Sequence, residues 1–417
     1  MSSIISNQNV VEIIRRTLSV VNQDIVNHGE VTSYILMKML ECEGIYPQSE
    51  ITELTMAAYL HDIGLFRDPE VKGIGDYEAS NLWEHSVYGF LFIKYFSPIG
   101  KYAEMVLYHH LNCRQLQLVQ SKLRTVISYL QIADQMDTFM RAKGRMDPDY
   151  FNVNRDILFS GNALELFFRA ESRFQITRKL RDGSFSAELS DRLGAIQLNE
   201  RSKNQFLQML VYTIDFRSEV TVIHTMSTVN FAEQLGRLMR LSAREMQCLH
   251  YGALLHDIGK LAIPLNILES PNRLTDEEME VMKSHVQITE DILKGTVDDE
   301  VLLIAARHHE KLDGSGYCKG LTEKDLTLPQ QIVAVADILS ALYGRRSYKA
   351  GFDSDKIKQI MQSDARNKKI NKQAVDCLLK NYDLIIANYE KEKNNIIGLY
   401  LQIKEQYAVN IERFKDL

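Results

Sequence analysis

Ten of the eleven histidines in this chain of 417 residues fall at two sets of matching positions. His28, His61, His85 and the pair His109-His110 recur as His224, His256, His285 and His308-His309, at offsets of 196, 195, 200 and 199 residues. Each set carries an aspartate directly after its second histidine, Asp62 or Asp257, and a later one, Asp134 or Asp337. Random scatter would not keep that order, so the chain reads as two copies of one unit. His250 stands outside the pattern and reads as an ordinary structural histidine. Imidazole nitrogen with carboxylate oxygen suits first-row transition metals, and the lack of thiolates argues against structural zinc. Seven donors exceed the needs of one ion. An aspartate beside a histidine is placed to bridge two ions about 3.5–4 Å apart, an arrangement suited to in-line displacement at phosphorus with water as nucleophile.

The two copies differ in charge. "AAYLHDIGLF" (57–66) has Leu65 where "GALLHDIGKL" (252–261) has Lys260. Lys260 follows Asp257 by three residues, which puts both on one side of a helical segment. An ammonium there would bind a phosphate oxygen and offset charge building on it. Asp257 and Lys260 are therefore the expected catalytic pair.

These donors need helices to hold them. Seven prolines in the whole chain, with apolar residues recurring at the helical period in "ITELTMAAYLHDIGLF" and "QQIVAVADILSALY", predict an all-α protein. Helix is expected from Ala253 to Gly259, and His308-His309 are expected to end the helix "VLLIAARHH". The stretch "ALELFFRAESRF" reads as a buried helix, and the tail from "NYEKEKNNII" onward as an amphipathic one with a solvated face. Length suits two domains, and 45% apolar with 25% charged residues is ordinary for a globular chain. A net charge of −6 implies no general affinity for polymeric nucleic acid or for anionic membrane. Five scattered cysteines without a CxxC pair favour a reducing compartment. The N-terminus reads as a helix start rather than a leader, and no apolar run is long enough to span a bilayer. A cytoplasmic protein is expected.

"LLHDIGKLAIP", His285, "HHEKLDGSGYCKGL" and "QQIVAVADILSALYGRRSYKAG" together resemble the HD-GYP domain, a family of metal-dependent cyclic dinucleotide phosphodiesterases within the HD superfamily. The resemblance spans roughly residues 204–351. With the repeat it gives two tandem HD-type helical domains, a divergent one at 1–146 and an HD-GYP domain with a C-terminal helical extension at 204–417, and the turn residues and charges of 147–203 read as a helical connecting region. The resemblance also implies two divalent ions, iron or manganese, held by His224, His256, Asp257, His285, His308, His309 and Asp337. Lys260, Asp313, Gly314, Gly316, Tyr317, Arg346, Tyr348 and Lys349 match segments that the family places near substrate. Glycines at 314, 316 and 320 would let backbone amides approach an anion, and Tyr317 would stack on a base.

Three departures stand out. Cys318 occupies the proline position of the Gly-Tyr-Pro loop, which loosens it. Ser340 stands where the family usually has a second aspartate after Asp337. Val220, with Glu219 one step earlier, occupies the site of the glutamate that holds a third metal in some members, so two metals are expected. The N-terminal copy keeps His28, His61, Asp62, His85, His109, His110 and Asp134, a second candidate metal set, but "HHLNCRQLQLVQ" lacks the loop. A regulatory role is expected there. The reading is hydrolysis of cyclic di-GMP or cyclic GMP-AMP, with that dinucleotide and a second copy of the chain as partners. Two alternatives compete: a nucleotide phosphohydrolase of the wider superfamily, and a signalling module that binds cyclic dinucleotides without cleaving them.

Overall fold

The computed structural model describes residues 4–67, 82–215, 221–268, 270, 272–344 and 352–415. Helices dominate it. Among the described residues no strand forms, and only two isolated bridges occur, Arg155 with Phe159 and Asp313 with Thr322. The all-α expectation holds. No described helix is long and apolar enough to cross a membrane.

The chain divides into two compact units. Residues 10–209 form the N-terminal unit together with 403–415, and residues 210–402 form the C-terminal unit together with 4–9. This differs from the division expected from sequence at both ends and in the middle. Residues 147–203 are part of the N-terminal unit rather than a connector. Ala163, Leu166, Phe167 and Ala170 make a buried apolar stripe at helical spacing, and such a stripe must be covered. The turn residues on either side of it disguise that.

In the N-terminal unit, α1 (Gln23–Glu43) and α2 (Gln48–Tyr59) pack on each other. They are followed by α3 (Leu82–Phe96), α4 (Ala103–Tyr108), α5 (Arg124–Lys143) and α6 (Gly161–Phe174). Asn22 caps α1 by accepting from the amides of Asp24 and Ile25, and Gly44 ends it in the left-handed region at φ 77°. Helix α6 lies on α1 and α5.

The C-terminal unit repeats the pattern with α7 (Thr221–Leu238), α8 (Ala243–Leu255), α9 (Asp276–Leu293), α10 (Asp299–Ala306) and α11 (Leu328–Gly344). Ser242 with Glu245, and Thr275 with Glu278, form reciprocal capping boxes that fix where α8 and α9 begin. Helix α7 packs against α8 and α11 as α1 packs against α2 and α5. A long α12 (Tyr382–Lys415) follows.

The His-Asp pairs do not lie inside a helix, contrary to expectation. Helix α8 stops at Leu255, and Ile258–Ala262 continue as a tighter 3-10 segment. The cause is close packing: a Cβ on Gly259 would sit 2.1 Å from the backbone oxygen of His285 and 2.8 Å from the amide of Thr289. Gly64 faces His85 in the same way, at 2.0 Å. Glycine thus lets the 3-10 segment press against the helix that brings the third histidine. The amide of Gly259 donates to Thr289 Oγ1 at 3.0 Å, and that hydroxyl donates to the His256 carbonyl. Gly259→Ala is expected to destabilise the fold by about 1–3 kcal/mol through overpacking, read as a lowered denaturant midpoint. An unchanged midpoint would show that the contact relaxes freely.

Candidate metal centre

In the C-terminal unit five elements bring the seven donors together. Helix α7 carries His224, the turn after α8 carries His256 and Asp257, and α9 carries His285. The turn after α10 carries His308 and His309, and α11 carries Asp337. The paired histidines thus lie one turn beyond the helix they were expected to end. Asp257 is the hub: its oxygens lie 3.1 Å from His256 Nε2, 3.5 Å from His224 and His285, and 3.7 Å from His308. Asp337 approaches His224 Nε2 at 3.1 Å and His309 Nδ1 at 3.8 Å. All seven residues expected from the spacing therefore converge on one place.

The donor chemistry fits metal. His256, His285 and His308 donate from Nδ1 to the backbone oxygens of Ala253, Met282 and Ala305, at 2.6–2.7 Å. That fixes the tautomer, so each Nε2 turns a lone pair inward. Those three Nε2 atoms and Asp257 Oδ1 are buried without a hydrogen-bond partner. Several buried acceptors facing one another need a cation. Asp257, His285, His308 and His309 form one group able to hold an ion, and His224, His256 and Asp257 a second.

Protonation states agree with that use at Asp257, Asp337 and His309. Burial works against ionisation of Asp257 and Asp337, but the surrounding imidazoles, with Lys260 beside Asp257, hold both carboxyls well below the usual range. Burial opposes a charge on His256 too, yet the two aspartates outweigh it and push that imidazole up to about 10. Burial drives His309 down to about 3, so it stays neutral. Ligation of a cation by ionised carboxylates and neutral imidazoles would require a proton to leave the His256 region.

Lys260 Nζ lies 2.6 Å from Asp257 Oδ2, so the ammonium sits at the cluster as the three-residue spacing predicted. In a 3-10 segment residues three apart eclipse, which aligns them more directly than an α-helix would. Tyr317 is half-buried with its ring 4.7 Å from that of His309. Asp313 is exposed and uses its carboxylate on the amide and hydroxyl of Ser315. Gly314 takes φ 79°, and Gly316 lies so close to the Glu310 backbone that a Cβ would meet it at 2.5 Å. Arg346, Tyr348 and Lys349 lie outside the described residues, as do Glu219 and Val220.

Two residues have roles that the sequence reading did not assign. Glu310 is buried and accepts from the amides of Lys319 and Leu321, at 2.7 and 2.9 Å. It therefore pins the loop that the cysteine at 318 was expected to loosen, and those two amides are already engaged. Its signal was present, because the N-terminal copy has Leu111 after its paired histidines. Ser340 is the second: its Oγ lies 2.9 Å from His224 Nδ1 and holds that ring from behind. His250 bonds Glu233 at 2.7 Å and takes no part in the cluster, as expected.

A helical fold with this His/Asp arrangement defines the HD class, and residues 195–373 match the family model described as HD domain. The C-terminal segment is thus an HD domain, similar to those of cyclic dinucleotide phosphodiesterases. The chain is similar to 3'3'-cGAMP-specific phosphodiesterase 1 of Vibrio cholerae, at 23% identity over 91% of this chain and 93% of that protein. The cyclic di-GMP phosphodiesterase response regulator RpfG of Xanthomonas campestris is 38% identical over 43% of this chain and 48% of its own length. A cyclic di-GMP phosphodiesterase of Thermotoga maritima is 32% identical over 53% of this chain and 65% of its own. The chain thus spans nearly all of the first relative but less than two thirds of the other two. A crystal structure of a cyclic GMP-AMP specific phosphodiesterase from V. cholerae shares the fold, with a TM-score of 0.56 and 17% identity over 91% of this chain and 98% of that one.

Proposed function

We propose that this protein is a metal-dependent phosphodiesterase that opens a cyclic dinucleotide, cyclic di-GMP or cyclic GMP-AMP, at the C-terminal cluster. One observation carries the reading: Asp257 sits among four imidazole nitrogens with the Lys260 ammonium 2.6 Å from its second oxygen. The named activities of the relatives support it.

The seven residues would hold two divalent ions, manganese or iron. Bound there, such ions supply Lewis acidity toward a phosphoryl oxygen and lower the pKa of water. The chain's own residues do the rest. Helix ends and backbone carbonyls lock the imidazoles before substrate arrives, so little reorganisation is needed during reaction. Lys260 neutralises charge that develops on a non-bridging oxygen. Tyr317, braced on His309, offers a face on which a purine stacks, a contact worth about 1–3 kcal/mol. Gly314 and Gly316 let the loop carrying Tyr317 turn this close to the cluster. Arg346, Tyr348 and Lys349 are assigned to substrate by resemblance. The N-terminal unit, with Leu65 in place of the lysine and no such loop, is regulatory.

Protein purified without oxygen and loaded with Mn²⁺ or Fe²⁺ should hydrolyse cyclic di-GMP or cyclic GMP-AMP and leave deoxynucleoside triphosphates and guanosine tetraphosphate intact. Turnover of the mononucleotides instead would indicate a general nucleotide phosphohydrolase. Tight binding of a cyclic dinucleotide without any cleavage would mark a signalling module. Either result overturns the proposal.

A further inference from the structure

We propose that the N-terminal unit is a metal centre in its own right, a closed site that holds a pair of first-row divalent ions as resident ions and takes no phosphate substrate. His28 Nε2 lies 3.0 Å from Asp134 Oδ1 and 3.7 Å from Asp62 Oδ2, against 3.1 and 3.5 Å for His224 with Asp337 and Asp257. His61, His85 and His109 lie 3.4, 3.5 and 3.6 Å from Asp62, and His110 lies 3.7 Å from Asp134. Of the seven His–Asp approaches in the C-terminal unit, six thus have a close N-terminal counterpart, the exception being His256 with Asp337 at 3.7 Å. Asp62, His85, His109 and His110 form one group able to hold an ion, and His28, His61 and Asp134 another.

The orientation of the rings points to cations. His61 and His109 donate from Nδ1 to the carbonyls of Ala58 and Val106, at 2.7 and 2.6 Å, so their Nε2 lone pairs face inward. His61 Nε2, His109 Nε2, Asp62 Oδ1 and Asp134 Oδ2 are all buried acceptors with no hydrogen-bond partner. Packing four such atoms together is costly unless a cation joins them. The C-terminal unit eases the same problem with the Lys260 ammonium. Here Leu65, 3% exposed, fills that position and supplies no charge.

Two further differences fit retention rather than catalysis. Behind the first histidine stands Asp137, its Oδ2 2.6 Å from His28 Nδ1, where the other copy has the Ser340 hydroxyl. A carboxylate partner makes an imidazole a stronger metal donor than a hydroxyl does. The site is also shut. The His28 side chain is 1% exposed against 18% for His224, and that of His110 is 7% exposed against 22% for His309. Among the described residues these side chains offer a cyclic dinucleotide almost no surface. The last turns of α12 brace the surrounding helices: Phe414 stacks on Trp83, and Tyr407 on Tyr88, which flank His85 on α3.

The test counts metal in the full chain, and it reads separately from the phosphodiesterase proposal because no substrate is involved. Chains loaded with Mn²⁺, passed through a desalting column and analysed by mass spectrometry should carry about two ions per unit. Asp257→Ala should remove the C-terminal ions and keep about two, and those should leave more slowly than the C-terminal ions on dialysis against a chelator. His61→Ala with Asp62→Ala should lose the slow pair. Because that double variant could fail to fold, the milder His110→Asn is measured in parallel, together with the melting temperature of Asp257→Ala before and after exhaustive chelation. A fall in melting temperature on chelation supports the site. An Asp257→Ala chain that carries no metal and melts at the same temperature with or without chelator overturns it.

Discussion

Asp257→Ala is expected to abolish hydrolysis of the cyclic dinucleotide, a loss of more than about three orders of magnitude, and to empty the C-terminal centre. Its carboxylate is common to both candidate ion groups of that unit, so no other residue replaces it. Removing it leaves inward-facing imidazole nitrogens with only Asp337 as an anionic partner, and the affinity for a second ion collapses. Steady-state turnover and metal content, measured on one preparation, check both halves of the expectation. A metal-loaded Asp257→Ala protein with turnover near that of the parent would exclude Asp257 as the shared ligand.

Lys260→Met should separate chemistry from metal binding. The ammonium pairs with Asp257 Oδ2 at the edge of the cluster, and methionine keeps most of the packing of its stem. Metal content should stay unchanged, while kcat falls about a hundred- to a thousandfold, the usual effect of removing one preorganised charge that stabilises the transition state. KM should change less, because charge accumulates on the phosphoryl group mainly in the transition state. Lys260→Arg should recover part of the loss, since the charge returns with a different geometry. Loss of metal in Lys260→Met would recast the lysine as a structural support for Asp257. Unchanged kcat with metal in place would remove it from the reaction.

Most of the centre was legible in the sequence because metal ligation restricts residue type so strongly. Only histidine and aspartate recur at the matched positions, and the near-constant offset of about 200 residues ties them into two sets. The all-helical fold followed from apolar periodicity and scarce proline. The partition into units was harder to read. Residues 403–415 group with the N-terminal unit and residues 4–9 with the C-terminal one, and nothing local in either stretch says which core will cover its apolar face. The stretch 147–203 misled for the same reason, since polar turns look alike whether they link domains or cap a packed helix.

By itself the sequence determined which histidines and aspartates recur, that they come in two sets, and that only one set has a lysine beside its aspartate. Tertiary structure decided the rest. It put each His-Asp pair on a turn, because only glycine at 64 and 259 lets that turn press against the next histidine's helix. It gave the loop amides to Glu310 and the back of His224 to Ser340. It also closed one centre while leaving the other partly open, a difference set by which surfaces meet in space rather than by the residue types alone.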